Sequence, residues 1–332
     1  MNCTNKLSIV LPLSLTEGMG DSVKWRDSPD EGASLRLSLL LKSFIKYFKQ
    51  EDLHTFFLVC PPNQVKQVSL IVHSITSDPR YLVISEWEIC PEVFKFLQEK
   101  KTQISGWYLQ QILKLAMAER IQTSHFLLFD SDIICLRPFD LESIVPGGRA
   151  LLNIETKSDY QRLYTPQFAV QEFNLKIGRY SRACQLLSYQ RPEEQQAIIY
   201  GETPVLMHTQ SVKDLKHYIE SKTNLPSGIS LILRLPWTEY SLYFMFLEKY
   251  QRIEAIYEKK DCNTLLDLEK SVWQGNSRYK QRRVYDKKHF HDQENCGYFV
   301  AIQSWLKQDT WLPEEFENLE DFYLILENWV LS

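Results

Sequence analysis

HFLLFDSDIICLRPF, residues 125–139, is the stretch on which the reading of this chain turns. Its first five residues are a mostly apolar run of strand length, and two carboxylates, Asp130 and Asp132, leave it at i, i+2. Aspartates placed this way at a strand end can share one Mg²⁺ or Mn²⁺ through their oxygens. On the motif alone, a turn-capping aspartate beside a solvated one explains the pattern equally well. The buried strand in front of the pair favours the metal.

Toward the N-terminus, residues 7–13 (LSIVLPL) are a short apolar run ended by a proline, which predicts a buried strand. The glycines, aspartates and Pro29 of residues 14–34 predict a mobile loop. Helical spacing follows over 35–48, then a second strand over 55–59, stopped by Pro61 and Pro62. Asn63 can cap a helix running to about residue 75. Residues 81–84 read as a third strand and 107–120 as a helix, after which the 125–129 strand delivers Asp130. Alternating β and α elements with short connections predict an α/β fold, a largely parallel sheet with helices on both faces. Ligands of such sheets sit beyond the C-terminal strand ends, where Asp130 lies. Neither G-x-G-x-x-G nor G-x-x-x-x-G-K-[ST] occurs, which argues against a dinucleotide-binding loop and a P-loop.

Downstream, 150–154 and 204–208 read as strands, 212–221 and 238–250 as helices, and 298–303 (YFVAIQ) as a late strand. The acidic, aromatic tail from residue 313 predicts a helix packed on the body. With no repeat or low-complexity linker, a boundary near Gly147-Gly148 separates two halves of one large domain, 1–148 and 149–332.

The chain has 332 residues, 44% of them hydrophobic, enough for a sizeable core. A net charge of -4 and a pI near 6.0 argue against nucleic acid as the main partner, since phosphate binding needs a basic face. The local basic run Arg278, Lys280, Arg282, Arg283, Lys287 and Lys288 reads as a solvated surface segment. Seven cysteines, an odd number without a C-x-x-C pair, suggest neither a disulfide framework nor a zinc knuckle. Scattered thiols fit a reducing compartment. The first 15 residues are too short to span a bilayer and lack a small-residue cleavage site. A cytoplasmic protein is expected, and peripheral contact with a membrane surface is compatible with it.

The strand-D-x-D-hydrophobic-Pro pattern of Asp130, Ser131, Asp132, Ile133, Ile134, Leu136 and Pro138 resembles the D-x-D site of GT-A-fold glycosyltransferases. Upstream, GWYLQQILKL (106–115) resembles a helix preceding that strand in a poorly characterised group of bacterial glycosyltransferase-like proteins. The likeness covers most of residues 7–140 in element order, and the rest more loosely. It implies a GT-A-like, Rossmann-type mixed sheet, with residues 1–148 binding a nucleotide-sugar and 149–332 forming an acceptor half with a helical tail. It also implies Mn²⁺ or Mg²⁺ on Asp130 and Asp132, neutralising a diphosphate as it leaves. A nucleotide-sugar donor follows, with a UDP-sugar favoured, together with a glycan, lipid-linked or small-molecule acceptor.

Trp107, Gln110, Gln111 and Lys114 fall at i, i+3, i+4 and i+7 and so share one helix face. A tryptophan, two amides and a lysine suit a diphosphate or a sugar, which makes these residues, with Asp130, the donor-site candidates. An exposed polar stripe with Trp107 packed is the plain alternative. Arg36 could meet phosphate, and is more simply a surface cation. In LPWTEYSLY (235–243), Thr238 can cap a helix and Glu239 suits its first turn. Alternatively, Glu239 is the carboxylate that takes the acceptor hydroxyl's proton, with Trp237 and Tyr240 touching the acceptor. His208, His289 and His291 are candidate third metal ligands, and His291 resembles the C-terminal ligand of GT-A enzymes in position.

Two other readings compete with a metal-dependent glycosyltransferase. A haloacid-dehalogenase-like phosphatase also uses strand-D-x-D, but that motif sits near the N-terminus and is followed by Gly-Thr; here Ile133 and Ile134 follow. A non-catalytic carbohydrate-binding protein on a transferase scaffold is the third.

Overall fold

A computed structural model of the chain describes residues 5–15, 32–281, 296–303 and 319–332. The chain first alternates β1 (Leu7–Pro12), α1 (Ala33–Tyr47), β2 (Leu53–Cys60), α2 (Val65–Ile75) and β3 (Tyr81–Ser85). There follow α3 (Glu86–Ile89), α4 (Pro91–Lys100), α5 (Gly106–Ala116), β4 (His125–Leu128) and β5 (Ile133–Cys135). Beyond them come α6 (Leu141–Ile144), β6 (Ala150–Glu155), α7 (Lys157–Leu163), α8 (Pro166–Leu187), β7 (Ile199–Tyr200), β8 (Val205–His208) and α9 (Thr209–Thr223). The remainder holds α10 (Ser227–Ile232), α11 (Glu239–Lys249), α12 (Ile253–Ile256), β9 (Tyr257–Lys260), β10 (Phe299–Ala301) and a C-terminal helix, Leu319–Leu331.

The fold is a mixed α/β sheet flanked by helices, as the resemblance implied, with the largely parallel core that the alternation predicts. The main sheet has the order β3-β2-β1-β4-β8, with β1 parallel to β2 and β4, and β2 parallel to β3. Every residue of β1 is buried, as its unbroken apolar run requires of an interior parallel strand. The edge strand β8 comes from the second half and runs antiparallel to β4, so both halves build one sheet. A second sheet, β7-β6-β9, and the pair β10-β5 complete the strands. Chain-terminal residues also close the body: Tyr47 donates to the Val330 carbonyl at 2.8 Å.

Several expectations meet a different arrangement. The loop expected over 14–34 lies mostly outside the described residues, as do Arg282, Arg283, Lys287, Lys288, His289 and His291. Arg36 is buried at 5% exposure, not a surface cation, because the inward face of α1 carries it. The second half is more helical than its pattern predicts, and α8, 22 residues long, has no counterpart among the predicted elements. The described cysteines are buried and free of disulfides, and burial pushes the thiols of Cys60 and Cys90 up to about 12. Among the described residues, no helix is long and apolar enough to cross a membrane.

The start of β4 carries a pH-sensitive group. His125 lies opposite His208 across the antiparallel pair, the rings 5.2 Å apart. Burial first, and the neighbouring His208 second, push the His125 imidazolium down to about 4. The unfolded chain takes this proton as pH falls through about 6.5, while the folded one resists until about 4. The resulting stability is therefore complete above the unfolded value and drains away as pH falls through that window. Chemical denaturation of wild type should lose roughly 3 kcal/mol more than His125→Gln between neutral pH and pH 4. Parallel stability curves for the two proteins would rule the histidine out as the cause.

Candidate functional site

The site begins where β4 ends. The Asp130-Ser131-Asp132 turn joins β4 to β5, and it is held from both sides. Ile133 N–H donates to the Asp130 carbonyl at 3.3 Å, and Ile302 N–H to the Asp132 carbonyl at 2.9 Å. Pairing of β5 with β10 thus locks the turn against the late strand. The Asp130 side chain is 30% exposed, at the C-terminal end of a parallel strand, while Asp132 is buried.

Helix α5 passes beside this turn. Ser105 caps it, its hydroxyl accepting from Tyr108 N–H at 3.3 Å. Of the four expected face residues, Trp107 and Gln110 are partly exposed, whereas Gln111 and Lys114 turn inward. The Lys114 ammonium lies 2.7 Å from Asp130 Oδ1 and donates to Glu239 Oε1 at 2.7 Å and to the Tyr240 hydroxyl at 3.0 Å. An ammonium has three protons, and here three acceptors engage them. Burial works against this charge, but Asp130 and Glu239 outweigh it and hold the ammonium well above the ordinary lysine range. For Glu239 the balance falls the other way: burial raises its carboxyl above the usual range despite Lys114.

Glu239 opens α11, whose residues through Glu248 are all buried. Thr238 caps the helix in a reciprocal box with Ser241. A further first-turn donor, Glu239 N–H, goes to Gln111 Oε1 at 3.1 Å, and Gln111 in turn donates to the Trp107 carbonyl. Gln111 therefore ties α5 to the start of α11. Glu239 itself is 2% exposed and stands behind Lys114 as its counter-ion. Trp237 is 1% exposed, with its indole N–H on the Leu231 carbonyl at 2.9 Å, so neither ring face is open to a sugar. Tyr240 is buried against Lys114. His208 is used structurally, its Nδ1 accepting from Ser211 N–H at the start of α9.

A second charged group, which local sequence spacing does not reveal, adjoins this one. On α8, Glu172, Lys176 and Arg179 are spaced i, i+4, i+7 and form one stripe. Lys176 meets Glu155, at the end of β6, at 3.2 Å and Glu202 at 3.5 Å. Tyr160 donates to the same Glu155 carboxylate. Arg179 donates to Glu202 at 3.0 Å and lies 5.8 Å over the Trp107 ring. Glu202 is set in place by Gly201: its N–H donates to the Asn153 carbonyl at 2.8 Å, and a Cβ there would come 2.9 Å from Asn153. Pro166 at the first helical position was the legible signal for this helix, and with it for the stripe.

The residues present fit a divalent cation of the magnesium kind. Such ions are held by one or two carboxylates with substrate phosphates and water completing the shell. Asp130 and Asp132 would supply those carboxylates from one short turn, with the Lys114 ammonium on Oδ1 of Asp130. Among the described residues, no group of three or more His, Cys, Asp or Glu side chains converges into a full cage.

No curated protein matches the chain. Among solved structures, it is similar to apo mouse xyloside xylosyltransferase 1, with TM-score 0.48 and 8% identity over 89% of this chain and 97% of that one. It is similar also to the galactosyltransferase LgtC in complex with donor and acceptor sugar analogs, with TM-score 0.45 and 10% identity over 98% and 97%. A third is the apo bifunctional glycosyltransferase WbbM, with TM-score 0.44 and 10% identity over 90% of this chain, which spans 45% of that protein. Residues 4–327 match a family described as a family of unknown function (DUF6492), and the chain belongs to that family.

Proposed function

We propose that this protein is a metal-dependent glycosyltransferase of GT-A type, moving a sugar from a nucleotide-sugar, a UDP-sugar for preference, to a hydroxyl acceptor. The observation that carries this reading is the Asp130 carboxylate, partly exposed at the C-terminal end of β4 and oriented by a buried ammonium. Asp130 and Asp132 would hold Mn²⁺ or Mg²⁺, which when bound neutralises charge on a diphosphate leaving group. Lys114 aims Asp130, and Glu239 and Tyr240 aim Lys114. The half that contains the D-x-D takes the donor and the α8–α11 half takes the acceptor. Gln110, on the partly exposed side of the α5 face, contacts the donor, and Trp107 beside it faces the sugars rather than the nucleotide.

Thermal unfolding with a panel of nucleotide-sugars, with and without Mn²⁺, tests the reading. A donor present at about 100 times its dissociation constant adds roughly 2.7 kcal/mol and raises Tm by several degrees, and Mn²⁺ should be required. Donor hydrolysis without acceptor should follow the same metal dependence. A flat panel together with turnover of p-nitrophenyl phosphate would replace this reading with the phosphatase. Binding without any turnover would leave a carbohydrate-binding protein.

The burial of Glu239 supports a positioning role rather than acceptance of the acceptor's proton. Glu239→Gln keeps an acceptor for Lys114 but removes a charge two steps from the cation. Expected is a loss of roughly 10- to 100-fold in both metal-dependent donor affinity and turnover, as for other supports of metal-ligating carboxylates. Unchanged donor affinity with collapsed kcat would restore Glu239 as the base.

A further inference from the structure

We infer that Trp107, Arg179, Glu202 and Glu172 form a subsite for a neutral pyranose beside the Asp130 turn. This deepens the glycosyltransferase reading and rests on it. The Trp107 ring is partly exposed, stacks edge-on with Tyr108 at 4.7 Å, and has the Arg179 guanidinium 5.8 Å above it. Glu202, with Glu172 and Glu239 adding to it, holds the guanidinium above the usual arginine range, so the α8 stripe and the Lys114 centre share one field. Glu172, two turns before Arg179, forms no ion pair among the described residues and is partly exposed.

The chemistry of this wall selects its ligand. A guanidinium is a flat fork of donors, and carboxylates are acceptors only. Each sugar hydroxyl is both donor and acceptor, so vicinal hydroxyls match donors and acceptors alternating along one face. The partly exposed indole of Trp107 suits the apolar C–H face of the same ring. Charge decides against a second phosphate site. Glu155, Glu172 and Glu202 balance Lys176, Arg179 and the more distant Arg278, and Lys176 and Arg179 are already paired with carboxylates. The wall therefore has no spare positive charge for an anion.

The pyranose is either the sugar of the donor or a residue of the acceptor, and two arms of one experiment separate them. In the first, calorimetry compares UDP with UDP-glucose, UDP-galactose and UDP-N-acetylglucosamine in the presence of Mn²⁺. In the second, saturation-transfer NMR titrates the methyl glycosides of the same sugars. Trp107→Leu and Arg179→Gln should each weaken the sugar-dependent part of binding by about tenfold, with UDP affinity within about twofold of wild type. Loss of the advantage of a UDP-sugar over UDP assigns the subsite to the donor, and loss of methyl glycoside binding assigns it to the acceptor. Trp107→Tyr keeps an aromatic face and should retain most of the affinity, which separates stacking from misfolding. Wild-type sugar affinity in both Trp107→Leu and Arg179→Gln overturns the subsite while leaving the transferase reading intact. Wild-type protein that binds neither UDP with Mn²⁺ nor any of the sugars overturns both.

Discussion

Asp130→Asn is expected to abolish transfer while leaving the fold nearly intact, and Asp132→Asn should do the same. The amide is isosteric and still offers an oxygen to Lys114, which keeps Glu239 and Tyr240 as partners. What disappears is the negative charge that would hold a cation, and through it a diphosphate, at the end of β4. Losing several kcal/mol of charge stabilisation corresponds to a rate loss of roughly a thousandfold. Turnover of the nucleotide-sugar and Mn²⁺ titration should fall together, and EDTA should reproduce the loss in wild type. Full turnover in either variant, with EDTA harmless, would remove the metal from the mechanism.

Lys114→Met is expected to have the largest effect on stability. The side chains of Lys114 and Glu239 are 4% and 3% exposed, so the change leaves a buried carboxylate without its counter-ion. Removing one partner of such a pair costs about 3–5 kcal/mol, far more than the pair is worth relative to apolar residues. The double variant Lys114→Met with Glu239→Gln should therefore recover much of the loss, although each single change is harmful. Denaturant midpoints of the four proteins form the cycle that measures this coupling. A solvated, phosphate-binding lysine would behave differently: Lys114→Met would then fall within about 0.5 kcal/mol of wild type and weaken only donor binding.

The site shows why some residues could be read early and others could not. Asp130, Asp132, Trp107, Gln111, Lys114, Glu239 and Tyr240 all stood out by residue type and local spacing. The structure joins Lys114 to Glu239 across 125 residues and to Asp130, a pairing that no local pattern encodes. Spacing offered Lys114 to a diphosphate and Glu239 to an acceptor hydroxyl, and packing sets them against each other, Lys114 between two carboxylates and Glu239 as its buried counter-ion. Trp237 shows the limit most plainly. An aromatic between a proline and a helix cap can be a stacking platform or a core anchor, and only packing against Leu231 decides for the core. Glu172, Lys176 and Arg179 had a helical spacing of their own, hidden because α8 is polar on its outer side and mixed in composition.

By itself the sequence determined the order of strands and helices in the first half, the buried character of β1 and β4, and the presence of two carboxylates where β4 ends. These follow from periods of 2 and 3.6 residues and from proline and glycine stops, all of which act over a few neighbours. Only the tertiary structure decided which charges meet. It sent β8 back to pair with β4, swung α11 against α5, and brought α8 alongside Trp107. Burial then set the partners, because a charge removed from water must find its counter-charge wherever the packed chain supplies one.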